Sequence, residues 1–135
     1  MPVSDADVSP VEMAKRYVRS SQPLLAVELL EPWLQEFPED AGAWSILAAA
    51  RYELDNLSEA RIAATKAADL RPQSARNWCN LGMILRKLGS LYEAERVLHR
   101  ALSVDSMYDR ARTELRKIHE LRTGDRAARQ DDDFI

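Results

Sequence analysis

Apolar and polar positions in this 135-residue chain follow the period of a helix, and the helical pattern itself returns every 34 residues. Within each stretch the apolar residues recur every three to four positions, which gathers them on one face of an α-helix. No stretch alternates with the two-residue period of a strand. The longer interval is visible in single residues. Trp44 and Trp78, Ala60 and Ala94, Ala67 and Ala101, and Pro38 and Pro72 each lie 34 apart, and Ala26 adds an earlier step to the alanine series. A unit of this length cannot bury its apolar face alone, so the copies must stack on one another.

Start and stop signals divide each unit in two. Ser9, Pro10 and Glu12 combine a hydroxyl N-cap, a proline at the first helical position and a glutamate three residues after the cap. Ser90 with Glu93, and Asn56 with Glu59, read as the same box, while Asp40 and Ser74 are caps for the leading helices of the second and third units. Gly89, Pro38 and Pro72 are stops. These signals predict helices over 9–20, 23–36, 41–54, 57–70, 75–88 and 91–104, then a seventh over 107–122. The seventh carries an apolar stripe of Ala111, Leu115, Ile118 and Leu121 among charged residues, the pattern of a helix that caps a stack. Thr123 and Gly124 are expected to end it, leaving 123–135 as a disordered acidic tail and 1–8 as a flexible N-terminus.

Composition narrows the function class. A chain that is 46% apolar can fill one domain's core, and its single cysteine, Cys79, excludes an internal disulfide and fits a reducing compartment. There is no long apolar run for a membrane span and no apolar leader in the first ten residues, so the expected location is the cytoplasm. No catalytic set emerges. His99 and His119 fall on separate helices without ligand spacing to Cys or carboxylate, and Cys79 has no histidine placed to activate it. Gly42, Gly82, Gly89 and Gly124 form no phosphate loop, and the run Asp131 to Asp133 lacks a defined cage for a cation. The expectation is a non-enzyme without cofactor or metal.

The repeated residues resemble the tetratricopeptide repeat, whose pattern is Trp-x2-Leu-Gly-x2-Tyr followed by a small Ala, a large apolar residue, a second Ala and a Pro. The third unit matches with Trp78, Leu81, Gly82, Leu85, Ala94, Leu98 and Ala101, and carries Ser106 in place of the proline. In the second unit Trp44, Leu47, Ala48, Ala60, Ala64, Ala67 and Pro72 match, with Arg51 at the Tyr position. The first unit is looser: Pro10, Met13, Ala14, Tyr17, Ala26, Leu30, Trp33 and Pro38. There Trp33 replaces the second alanine, so the hairpin is not expected to close in the usual way, and Pro32 is expected to kink its second helix. The implied fold is an all-α, right-handed superhelix of three hairpins (about 7–40, 41–74 and 75–108) plus a C-terminal capping helix.

The resemblance also implies that ligands bind the concave face lined by the leading helices. Carried over by repeat position, that face holds Val8, Val11, Lys15, Val18 and Arg19, then Gly42, Ser45, Ala49, Tyr52 and Glu53. The third unit adds Arg76, Cys79, Met83, Arg86 and Lys87, and the last helix Arg110, Thr113, Lys117, Glu120 and Leu121. The chain as a whole has a net charge of −3, yet seven of these twenty positions are basic and two acidic, so an acidic protein presents a basic groove. The expected partner is a protein or peptide segment, acidic and with apolar anchors. Positions that would clamp the C-terminal carboxylates of heat-shock chaperones hold Val11, Lys15, Ile46, Arg76 and Asn80, which does not make that clamp.

Two other readings belong to different classes. The atypical first hairpin could serve self-association, giving a homo-oligomer. The basic seventh helix (Arg110, Arg112, Arg116, Lys117, Arg122) raises RNA binding, against which stand the net negative charge and a single groove aromatic, Tyr52. The segment Asp131 to Ile135, three carboxylates before Phe134 and Ile135, either docks in such a groove, its own or a neighbour's, or is a solubilising tail.

Overall fold

The structure, a computed structural model, describes the backbone of residues 7–133 and the side chains of residues 7–124. Among them are seven α-helices and no strand: α1 (Pro10–Arg19), α2 (Pro23–Glu36), α3 (Ala41–Glu53), α4 (Leu57–Leu70), α5 (Ala75–Lys87), α6 (Leu91–Val104) and α7 (Asp109–Asp133). Helices α1 and α2, α3 and α4, and α5 and α6 form hairpins. Each following hairpin packs its leading helix on the second helix of the one before, and α7 packs on α6 and α5. The leading helices α1, α3, α5 and α7 therefore stand side by side as one layer, with α2, α4 and α6 behind them. The result is an all-α solenoid of stacked hairpins.

Each hairpin closes at a crossing of small and apolar residues set 34 positions apart. Ala14 and Leu30, Ala48 and Ala64, and Gly82 and Leu98 occupy equivalent places in the three hairpins, and all six are buried. A Cβ added to Gly82 would lie 2.5 Å from both Cγ and Cδ2 of Leu98, so the third crossing holds only because that residue has no side chain. The second hairpin solves the same approach with two alanines. Ala26, Ala60 and Ala94, all 0% exposed, complete the contact one turn away. The first hairpin closes at this crossing too, contrary to the expectation raised by Trp33, because the tryptophan turns towards the next hairpin instead. Its Nε1 donates to Asp40 Oδ2 at 3.0 Å, and its ring packs on Phe37. Helix α2 also runs unbroken through Pro32.

The turns inside the hairpins share one geometry. Ser21, Asp55 and Gly89, again 34 apart, have φ of 60°, 62° and 85°. The residue after each donates its backbone N–H five positions back: Gln22 to Tyr17, Asn56 to Arg51, Ser90 to Leu85. This is a Schellman stop in which the following residue is already the cap of the next helix. That double duty explains why the boxes expected at Asn56 and Ser90 are not made: neither side chain caps its helix, whereas Ser9, Asp40 and Ser74 do. Between hairpins, Trp44 Nε1 donates to the Pro38 carbonyl and Trp78 Nε1 to that of Pro72, both at 2.8 Å. Arg112 Nη2 does the same to Ser106 at 2.7 Å, so α7 enters the stack as a fourth leading helix with a guanidinium in the indole's place.

Two expectations about α7 need correction. It continues past Gly124 to Asp133, because one interior glycine costs a helix only about 1 kcal/mol and no proline follows. Leu121 also leaves the apolar stripe and is 47% exposed, while Ala111 and Ile118 are buried. Residues 1–6, Phe134 and Ile135 lie outside the described residues.

Gly82→Ala is expected to lower stability by about 1–3 kcal/mol despite its better helix propensity. Adding Leu98→Ala rebuilds the pair found in the second hairpin, so the double variant should lose less than the sum of the two single losses in a chemical-denaturation cycle. Additive losses would show that Gly82 and Leu98 do not share the crossing.

Candidate peptide-binding groove

Stacking by a fixed interval puts equivalent residues of the leading helices in rows along the front layer. Gly42, Arg76 and Arg110 form one row, and Lys15, Ala49, Met83 and Lys117 another. Between α3, α5 and α7 this creates a pocket of about 290 Å³, lined by Ala48, Ala49, Tyr52, Glu53, Arg76, Asn80, Met83, Ile84 and Arg110. A second pocket of about 350 Å³ lies between α1, α3 and α5, lined by Val11, Glu12, Lys15, Ala41, Gly42, Ser45, Ile46, Arg71, Ser74, Arg76 and Asn77. Arg76 lines both and joins them into one groove. Their linings hold four cations, Lys15, Arg71, Arg76 and Arg110, and two carboxylates, Glu12 and Glu53.

The structure sorts the expected groove residues into distinct groups. Lys15, Tyr52, Arg76, Met83 and Arg110 line these pockets. Arg76 and Arg110 make no hydrogen bond or ion pair among the described residues. Lys87 stands over the Tyr52 ring, 5.1 Å from its centroid, and so stiffens one edge of the first pocket. Val18 packs partly against the core, and Arg19 is exposed in the last turn of α1. Three residues stand apart from the expectation. Cys79 is not a groove residue at all; it is 0% exposed within the core. Burial pushes its thiol up to about 11, only partly opposed by the positive charge of Arg110, so it is no nucleophile near neutrality.

Arg86 and Lys117 are tied up by a residue the sequence reading missed. Glu114 is 2% exposed, and its two oxygens accept from Arg86 Nε at 2.7 Å and Lys117 Nζ at 3.0 Å. Burial works to raise its pKa, but the hydrogen bonds from Lys117 and Arg86 and their charges outweigh it and hold the carboxyl below its ordinary value. Arg86 is mostly buried in this bridge between α5 and α7 and serves to fix α7 against the stack. The signal for Glu114 lay in its register: it occupies the row of Ile46 and Asn80, which both line the groove. Arg51 has a parallel structural role, bridging Glu31 of α2 at 2.8 Å and Glu59 of α4 at 2.7 Å.

Elsewhere, His99 and His119 do converge with Glu95 and Arg122 on a shallow pocket between α6 and α7. Arg122 pairs with Glu95, and among the described residues no group of three His, Cys, Asp or Glu is placed to hold a metal ion.

A two-layer solenoid of helical hairpins with a groove along its leading helices defines the class: helical repeat scaffolds. The family model for the tetratricopeptide repeat matches residues 75–106, which are α5, α6 and their turn. The described chain as a whole has the fold of tetratricopeptide domains, as the solved structures below show. No curated relative matches the sequence. Among solved structures, the chain is similar to the first tetratricopeptide domain of Spaghetti (RPAP3) bound to the HSP90 peptide SRMEEVD, with 20% identity and a TM-score of 0.80, covering 84% of this chain and 90% of that one. MamA follows with 24% identity and a TM-score of 0.79 over 87% of this chain and 71% of that one. The TPR2B domain of yeast Sti1, in a complex with an Hsp70 peptide, has 22% identity and a TM-score of 0.75 over 84% and 99%. At these identities the likeness speaks for the fold.

The Glu114 bridge gives stability a defined pH dependence. Its folded pKa lies below the ordinary 4.5, so its contribution is complete above 4.5 and disappears as the pH falls through the lower folded value. Glu114→Gln is expected to lower stability at pH 7 by about 1–3 kcal/mol. Denaturation curves of variant and wild type should then converge in acid. A constant gap from pH 7 to pH 3 would contradict the assignment.

Proposed function

We propose that this chain is a non-catalytic interaction module that holds an extended, acidic peptide segment of a partner protein in the groove along α1, α3, α5 and α7. One observation carries the reading: on a chain of net charge −3, Arg76 and Arg110 share a pocket and have no carboxylate partner among the described residues. Two guanidiniums in one row suit carboxylates along a chain, each able to make paired N–H···O bonds. Tyr52 and Met83 beside them supply apolar contact for an anchor residue of the ligand. The structurally similar RPAP3 and Sti1 domains hold chaperone peptides, which supports a peptide as the ligand class. This chain departs from a chaperone-tail clamp by moving its cation pair towards α7 and placing Ile46 and Val11 in the other pocket.

We further place the module in the cytoplasm, acting as an adaptor or small chaperone. Among the described residues no helix is long and apolar enough to cross a membrane. Nucleic acid is the poorer fit, since Tyr52 is the one aromatic lining the two pockets and Lys87 already stands over it.

Arg76→Glu/Arg110→Glu is expected to retain the fold by circular dichroism and to recover little partner from a cell extract, compared with wild type. Equal recovery would exclude the groove as the main site.

A further inference from the structure

The partner for this groove can be sought within the chain itself. Helix α7 ends in Asp131, Asp132 and Asp133, with no basic residue in its last turn. The carboxyl end of a helix already carries partial negative charge, so three aspartates there repel both one another and the helix. The sequence then continues with Phe134 and Ile135. An acidic run followed by an aromatic and an aliphatic residue has the chemistry that Arg76, Arg110, Tyr52 and Met83 present.

Geometry decides which molecule's groove. Arg110 and Asp131 lie on the same continuous helix, 21 residues apart, which separates them by about 30 Å along its axis. An intact α7 therefore cannot return its own acidic end to its own groove. A second copy has no such restriction.

We propose that the segment from Asp131 to Ile135 of one molecule docks into the Arg76–Arg110 groove of a second copy, so that self-association occupies the site at which a partner peptide binds. This deepens the reading of the groove as an acidic-peptide site and rests on it. The contact joins two different surfaces, the tail of one copy and the groove of the next, and is heterologous. It makes free groove available when the protein is dilute and covers it when the protein is concentrated.

Heterologous contacts permit a complementation test by sedimentation on full-length protein. The tail variant is Asp131→Asn/Asp132→Asn/Asp133→Asn/Phe134→Ala; the groove variant is Arg76→Glu/Arg110→Glu. Wild type is expected to gain mass with concentration and to lose that gain when salt is raised. Each variant alone should remain monomeric, while an equimolar mixture forms a one-to-one dimer from the intact tail of one and the intact groove of the other. Monomeric wild type throughout, or association that survives in the groove variant, would overturn the proposal. A fluorescein-labelled peptide of residues 129–135 separates the two levels of the argument. Binding at least about tenfold tighter to wild type than to the groove variant, alongside monomeric wild type, leaves the groove reading intact and removes self-docking. Equal binding to both proteins removes the groove reading as well.

Discussion

The two helices of a hairpin can approach only where one of them has almost no side chain, and every longer-range feature of this molecule inherits that distance. At Gly82 the spacing leaves no room even for a methyl group against Leu98. Once the pair is drawn together there, the flanking alanines are sealed from water, and the αL turn at the hairpin's end is obliged to reverse the chain within three residues. The same turn and crossing then recur at the same interval, which aligns the leading helices side by side. Rows of equivalent side chains, and so the groove, are a consequence of that alignment. A looser crossing would leave Arg76 and Arg110 on the same helices but not facing one pocket.

Much of this was legible in the sequence because local signals and the repeat agreed with each other. Helix positions came out to within two residues for the first six helices, since caps, prolines and apolar spacing all pointed the same way. The errors fell where one residue serves two elements. Asn56 and Ser90 read as ordinary caps, but each also completes the stop of the preceding helix and cannot adopt the extended cap conformation. Trp33 read as an obstacle within its own hairpin, whereas its indole is satisfied by Asp40 across the hairpin boundary.

The groove was harder to read than the fold, for an electrostatic reason. A repeat interval states which residues share a row, but it does not state which charges pair across neighbouring helices. That depends on the stagger and tilt of the helices. Glu114 lies in a row of groove residues yet withdraws into the contact between α5 and α7, drawing Arg86 and Lys117 with it. Cys79 also belongs to a nominally concave position, but the approach of the leading helices closes over it. The seven basic positions counted along the chain thus reduce to a smaller set that can still meet a ligand. Arg76 and Arg110 remain in it because neither makes an ion pair among the described residues, although Glu53 of α3 lines the same pocket.

Helix α7 presents two unlike sides to its surroundings. On the side that meets α6 it keeps the repeat's apolar residues, Ala111, Leu115 and Ile118, and Arg112 reproduces the tryptophan's hydrogen bond. On the side where a second helix of its own would cross, the pattern is abandoned. Arg116 stands where Ala48 and Gly82 stand in earlier units, and His119 where Leu85 is buried. A guanidinium at that crossing denies any incoming helix the close approach the other hairpins require. Charge thus takes the place of the small crossing residue in α7. In the front row, by contrast, Arg76 and Arg110 keep guanidiniums without an ion-pair partner among the described residues.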